Sequence, residues 1–559
     1  MEERPAVVLE PRTEAGVTPV LGGWRATTAS PAFAPPDIAR ILQYVRHPIH
    51  VVREAATGQL GLAMGGELVG VGASEISLVA TLPPIYPEWL GDREFCEAHG
   101  TRFPYVTGAM ANGIATPELV VAMAQAGMLG FFGAGGLAYS GVERGVADIR
   151  ARLAGRTGLA WGANLIHSPT EPALEARVAE LYIAQDVRVV EASAFMKLTP
   201  AVVHYALSGL STDPAGAIVR KNHVMAKISR PEVARMFMEP APAAMVSALE
   251  SVGKLTAREA ELARHVPVAE DITVEADSGG HTDNRPLASL FSEIALLRDE
   301  VAQQHGLNRR VRVGAGGGIS TPQSVAGAFA MGAAYVVTGS VNQSCVESGL
   351  SARAREMLAK ASVADVMMAP ASDMFEMGVN LQVLKRGSMF GPRARKLYAW
   401  YAGYPDLAAV TGEHGPELEK ILGKSVDDVW AETRRYWEQR EPAVLELADR
   451  DPKYQMALVC RWYLGKSSRW AIDGDPERVL DYQIWCGPSM GAFNSWVAGS
   501  YLEKCEHRNV DQVALNLLEG AARISRAQQA RTCGVPVPVS AFRYIPQPLS
   551  IAPGAAVTI

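Results

Sequence analysis

Arg312-Val-Gly-Ala-Gly-Gly-Gly-Ile-Ser-Thr-Pro322 decides the fold of this 559-residue chain, together with Ala334-Tyr-Val-Val-Thr-Gly-Ser-Val-Asn342 beyond the apolar helical stretch that follows it. The pattern predicts a strand, a glycine turn with open amides, a helix started by Thr321 and Pro322, a second strand, and a second turn at Gly339 and Ser340. Two neighbouring turns of exposed N–H groups can bind a phosphate dianion. In a (β/α)8 barrel these are the loops after strands 7 and 8, where a nucleotide-type phosphate is commonly held.

Working outward, short apolar runs ending in glycine or polar residues alternate with helical patterns from Phe103 onward, the signature of parallel βα units. The runs are 103–108, 128–132, 159–165, 187–192, 223–228, 271–276, 311–315 and 334–338. Eight strands over about 240 residues favour a closed TIM barrel over an open doubly wound sheet. Thr116-Pro-Glu-Leu-Val-Val-Ala-Met-Ala-Gln-Ala-Gly127 echoes Thr321-Pro-Gln-Ser-Val-Ala-Gly-Ala-Phe-Ala-Met-Gly332, with Thr cap, Pro at the first helical position and closing Gly at the same offsets. Repeat ancestry and the common need of helices for caps both account for the echo. Gly133-Ala-Gly-Gly-Leu-Ala138 formally fits the dinucleotide pattern, but no clear helix start follows it, and a Rossmann domain is disfavoured.

The expected organisation is an N-terminal extension over 1–100, with short strands and Gly turns at 60–82, then the barrel over 101–345. A helical, Met-rich accessory or lid region follows over 346–450, with helices at 346–358 and 417–440 flanking an irregular segment at 366–390. Residues 451–559 form a C-terminal region expected to pack on the barrel, with a last helix near 513–527 and a Pro/Gly-rich tail after Cys533.

Hydrophobic residues make up 48% and charged residues 20%, an ordinary globular composition. A net charge of -6 argues against nucleic acid as a main partner. No apolar run is long enough to span a bilayer, and Met1-Glu-Glu-Arg lacks the features of a signal peptide, so the expectation is a cytoplasmic protein without a membrane partner. The six cysteines are scattered, without C-x-x-C or zinc spacing, and read as reduced thiols; no metal site is expected.

Residues just past each barrel strand become the candidate site. After strand 1 come Gly108-Ala-Met-Ala-Asn-Gly113, small residues that let a flat ring approach the backbone. After strand 3 comes Asn164, able to donate and accept hydrogen bonds. Strand 5 ends at Ala226-Lys-Ile-Ser229, where Lys227 can face an electron-rich ring edge. Strand 6 runs into Glu275-Ala-Asp-Ser-Gly-Gly-His-Thr-Asp283, which puts His281, a proton shuttle near neutral pH, on a glycine-released loop over the mouth.

At these residues the chain resembles the FMN-dependent nitronate monooxygenase and enoyl-ACP reductase superfamily. The pieces are Gly162-Ala-Asn-Leu165, Ala226-Lys-Ile-Ser229, Ser278-Gly-Gly-His281, Gly316-Gly-Gly-Ile319 and Gly332-Ala-Ala-Tyr-Val-Val-Thr-Gly-Ser340. Over nearly the whole chain, including Thr107-Gly-Ala-Met-Ala-Asn-Gly-Ile114, it more closely resembles the PfaD type, trans-acting enoyl reductases that serve polyunsaturated fatty acid and polyketide synthases. The resemblance implies FMN with its phosphate on Gly317, Gly318, Gly339 and Ser340, beside Gly316 and Thr338. It implies a ring against Ala109, Met110 and Asn112, with Asn164 and Lys227 on the polar edge and Ser278, Gly279 and Gly280 nearby. Lys227 would stabilise negative charge on the ring, and His281 would transfer a proton or orient the substrate carbonyl. The loop carries Asp277-Ser278 where the simpler superfamily form has glutamate-alanine before the glycines.

The reaction so implied is NADPH-driven reduction of an α,β-unsaturated thioester on an acyl carrier protein, with the synthase components as partners and oligomeric state open, a homodimer among the options. A nitronate-oxidising flavin oxygenase and a non-catalytic docking component of a synthase complex are the alternatives. The cluster Met367, Met368, Met374 and Met377 reads either as an adaptable wall for acyl chains or as core filling. The basic group Lys385, Arg386, Arg393, Arg395 and Lys396 reads either as a carrier-protein surface or as a solvated face.

Overall fold

The computed structural model describes residues 20–551, apart from 28, 157, 170, 308 and 309. The Met1-Glu-Glu-Arg start and the last residues of the tail, 552–559, lie outside them. The chain divides into two compact units, one of residues up to Pro87 with Glu519–Tyr544, the other of Glu88–Leu518 with the residues from Ile545. The divisions between these units fall after Pro87 and within the last helix, Val510–Thr532.

In the larger unit, eight parallel strands close a barrel: β1 Tyr105–Thr107, β2 Leu129–Phe132, β3 Gly162–Ile166, β4 Val189–Ser193, β5 His223–Ile228, β6 Asp271–Glu275, β7 Arg312–Gly316 and β8 Val336–Thr338. Each overlaps its expected run. Closure is set by β8, which pairs Val336 with Ala315 on one side and with Tyr105 on the other. The strands read as continuous apolar runs because both faces of a barrel strand are covered. The echo in the sequence is matched by two helices of one design. Thr116 and Thr321 accept from the backbone N–H of Leu119 and Ser324, Pro117 and Pro322 open the helices, and Gly127 and Gly332 stand at positive φ beyond their ends. A helix, Tyr139–Leu153, does follow the Gly133 motif, although no side chain caps it; the absence of a cap is why its start is not visible in the sequence.

At the amino ends of the strands, charges buried in pairs tie the barrel together. Asp271 accepts from Arg312 Nε and Nη2 at 2.7 and 2.8 Å and lies 2.8 Å from His99 Nε2, while Glu270 pairs with His223. This is the stabilising end of such a fold.

Beyond the barrel the segment expected to be irregular forms a hairpin, Val366–Pro370 with Asn380–Leu384, to which Gly280–His281 adds a third antiparallel strand. The expected helix at 346–358 begins only at Ala352, where Ser351 caps it, and 417–440 is split: Gly423, at positive φ, ends Leu407–Leu422 and Ser425 caps Val426–Arg440. The helices Phe390–Gly403, Leu407–Leu422, Val426–Arg440 and Pro452–Asp473 share with the hairpin a core that includes Phe375, Leu397, Trp400, Leu418 and Tyr463.

The smaller unit contains a five-stranded antiparallel sheet, Leu60–Ala63, Ile49–Glu54, Ile76–Leu82, Gly22–Arg25 and Glu67–Val69 in that order. Arg526, buried in the same unit, donates to the carbonyls of Val45 and His47.

Among the described residues no helix is long and apolar enough to cross a membrane, and no group of three or more His, Cys, Asp or Glu side chains is arranged to hold a metal. All six cysteines are free thiols.

Candidate active site

The carboxyl ends of the strands open into a cavity of about 1200 Å³, roofed by the hairpin and by the helices Val426–Arg440 and Pro452–Asp473. All the site residues expected from sequence line it.

At one side are the two glycine turns. Gly317 and Gly318 both have positive φ, and a β-carbon on Gly317 would come 2.7 Å from the Ala276 carbonyl carbon, so this turn tolerates only glycine. A β-carbon on Gly318 or Gly339 would meet nothing within 4 Å. The backbone N–H groups of Gly318, Gly339 and Ser340 make no hydrogen bond among the described residues. Ser340 Oγ accepts from Gly487 N at 3.1 Å, which leaves its hydroxyl proton to donate. Partnerless amides at an open turn are the donor set a phosphate monoester needs. The Thr338 hydroxyl is committed elsewhere, to Tyr105 at 2.7 Å and Asn342 at 3.0 Å, so Thr338 shapes this turn from behind.

Lys227, at the end of β5, places Nζ 3.3 Å from Glu275 and 3.9 Å from Glu191. Burial opposes its charge, but the two carboxylates outweigh it and raise its pKa above the ordinary lysine value. Glu191 is almost wholly buried on β4 and also accepts from Ala109 N at 3.0 Å. Burial pushes its pKa up, against the pull of Lys227 and of the Ala109 amide. Neither carboxylate stood out in the sequence: Glu191 sits in the apolar run of β4, and its one signal was a lone acid in a buried strand. Asn164 donates to Glu191 O at 3.0 Å and to Ser193 Oγ at 2.7 Å, so its Oδ1 is the atom left for a ligand.

In the first loop Met110 is buried, and Asn112 adopts positive φ and donates to Ser468 Oγ at 3.1 Å, joining the loop to the helix above it. On the far side of the cavity His167, stacked on Phe195, pairs with Glu175 at 3.0 Å; this pair too was not singled out from sequence.

At the mouth, His281 Nε2 lies 3.1 Å from Asp373 Oδ1, and both side chains are half exposed. Its partial withdrawal from water lowers the tendency of His281 to ionise, yet Asp373 and Glu275 prevail and raise its pKa. Of the four clustered methionines, Met374 and Met377 line the cavity, whereas Met367 packs on Gly391. The basic group is largely neutralised: Arg393 pairs with Asp481, Lys396 with Glu417, and Arg386 with Asp365 at 3.4 Å.

Residues 94–389 match the nitronate monooxygenase family. The crystal structure of the enoyl reductase domain of MlnA, from the macrolactin biosynthesis cluster of Bacillus amyloliquefaciens, superposes with a TM-score of 0.76 at 35% identity, covering 80% of this chain and 99% of that one. The chain belongs to the nitronate monooxygenase family, in its PfaD-type enoyl reductase branch. Residues 404–482 of this PfaD-type chain also match the inserted helical domain of acyl-carrier-protein S-malonyltransferase, which corresponds to the roofing helices. One of the polyunsaturated fatty acid synthase subunits of Thraustochytrium sp. is 44% identical over 492 residues, 87% of this chain and 32% of that protein. The polyketide biosynthesis protein PksE of Bacillus subtilis is 41% identical over 439 residues, 78% of this chain and 57% of that protein. The PfaD-type chain therefore spans from about a third to somewhat over half of these relatives' own length.

Proposed function

We propose that the chain is a trans-acting, FMN-dependent enoyl reductase that uses NADPH to reduce α,β-unsaturated acyl thioesters carried on an acyl carrier protein in polyketide or polyunsaturated fatty acid synthesis. The observation that carries this reading is the meeting, in one cavity, of an amide cradle without partners among the described residues, a largely buried lysine held by two carboxylates, and a histidine–aspartate pair at the mouth.

The residues fit FMN. The amides of Gly318, Gly339 and Ser340 would hold its phosphate, Gly317 would keep that turn tight, and Lys227 with Asn164 Oδ1 would meet the polar edge of the ring. When bound, the group supplies hydride transfer from NADPH to the β-carbon of the thioester. Lys227 supplies fixed positive charge where negative charge accumulates, in a site sheltered from bulk water. His281, which lines the cavity, would supply the proton. Leu137, Ile166, Phe195 and Met196 give the opposite wall an apolar surface suited to an acyl chain. The relatives named for fatty acid and polyketide synthases, and the helical match to a carrier-protein transferase, support a carrier-bound substrate.

The test is product analysis. With NADPH and crotonyl carrier protein, mass spectrometry of the carrier should show gain of two hydrogens. Consumption of an alkyl nitronate with no change in the carrier thioester would instead favour the oxygenase chemistry of other family members.

A further inference from the structure

His281 is reached from outside the barrel. Its short strand pairs with Asn380–Leu384, His281 standing opposite Leu381, and the other arm of that hairpin leads into the turn that carries Asp373. The loop is fixed as well as paired: Gln382 Nε2 donates to Asp277 Oδ1 and to Ser278 O at 2.7 Å each, and a β-carbon on Gly279 would come 2.7 Å from Cys486 N. The one hydrogen bond of the ring among the described residues is Nε2 to Asp373 Oδ1 at 3.1 Å; Nδ1 makes none. A carboxylate on one imidazole nitrogen keeps a proton there, so a charged ring presents its other N–H for donation.

The geometry points to Asp373 as a positioning residue, which holds the Nε2–H of His281 so that Nδ1–H is the proton donor to the α-carbon of the enoyl thioester; this rests on the enoyl-reductase reading above. In the balanced step hydride originating from NADPH adds to the β-carbon and the π bond breaks. Its electron pair takes the Nδ1 proton at the α-carbon, and the neutral imidazole regains a proton from water. The charges facing the ring act in both directions. Asp373 and Glu275 favour the imidazolium, Lys227 opposes it, and Arg461, itself 3.1 Å from Glu376, helps keep Asp373 ionised.

The experiment compares the FMN-loaded wild type with Asp373→Asn and Asp373→Glu by 15N spectroscopy of labelled histidine, using His281→Ala for assignment, alongside pH profiles with NADPH and crotonyl carrier protein. In the wild type the neutral ring should carry its proton on Nε2. Asp373→Asn should lower the His281 titration and abolish that tautomer preference. It should also cut kcat about tenfold above neutral pH with KM nearly unchanged, and Asp373→Glu should recover part of the loss. An Asp373→Asn protein with the wild-type tautomer and pH profile would overturn the assignment while leaving the functional reading intact. A wild type that reduces no enoyl thioester would overturn the reading itself, and the assignment with it.

Discussion

Lys227 and Glu275 stand side by side at the carboxyl end of the barrel, Nζ to Oε1 3.3 Å, with Glu191 completing the set from β4 at 3.9 Å. The cation and the carboxylates depend on one another: without the lysine, Glu191 is a deeply buried acid next to a second one. Lys227→Met should therefore destabilise the fold by about 2–3 kcal/mol, somewhat below the usual cost of breaking a fully buried pair because the lysine retains some exposure. Adding Glu191→Gln should recover part of that loss. Denaturant unfolding of the two single variants and the double variant measures the coupling.

The glycine turns separate two kinds of damage. Gly317→Val meets both positive φ and the Ala276 backbone, so it should cost about 3 kcal/mol or more and lower the melting temperature. Gly339→Val has open space around its β-carbon and no positive φ, so the melting temperature of the FMN-free protein should stay unchanged. In the cofactor reading it should nevertheless empty the FMN site, because the added methyls stand where the phosphate would approach. Flavin absorbance after reconstitution, read beside thermal unfolding, tells the two apart.

Acid should unfold the protein through the amino end of the barrel. Burial opposes ionisation of Glu270 and Asp271, but Arg220 and His223 bring Glu270 down to about 2, and Arg312 and His99 hold Asp271 lower still. A carboxylate whose pKa is depressed by folding contributes stability that is present above its unfolded value of about 4 and is lost as pH falls toward the folded value. Stability should thus drop steeply between about pH 4 and pH 2. Asp271→Asn should weaken that dependence and cost about 3–5 kcal/mol at neutral pH, since Arg312 keeps a buried place without its partner.

His281→Ala should leave FMN bound and enoyl reduction slowed about 100-fold, within the range expected for losing a general acid. If His281 is the proton donor of the proposed reaction, its raised pKa keeps it protonated past the ordinary histidine range in the wild type, and kcat should fall as pH rises through that value. A pH series of turnover, with flavin content measured at each point, checks both.

Much of this was legible in the chain itself. Parallel strands buried on both faces give unbroken apolar runs, and Thr321, Pro322 and the Gly316–Gly318 turn mark a strand, turn and helix start by local chemistry alone. Lys227 and His281 were visible because strand ends and glycine-flanked loops locate them. What escaped depended on distant partners. The hairpin at 366–384 has little polar–apolar alternation, and its pairing with His281 joins segments about 100 residues apart. Asp373 is 92 residues from the histidine it contacts. Glu191 was concealed by the apolar run around it, since nothing local announces that a carboxylate there faces Lys227 and an amide. The helix break at Gly423–Ser425 was missed for the opposite reason: the helical pattern continues on both sides of a short cap.

Anaerobic titration of the FMN-loaded protein with NADPH, followed by crotonyl carrier protein, decides whether the chain is an enoyl reductase. Flavin absorbance should fall with NADPH and recover on addition of the enoyl thioester, with one butyryl carrier formed per flavin reoxidised. Flavin that stays reduced after the thioester, or a protein that takes up no FMN, would contradict that activity.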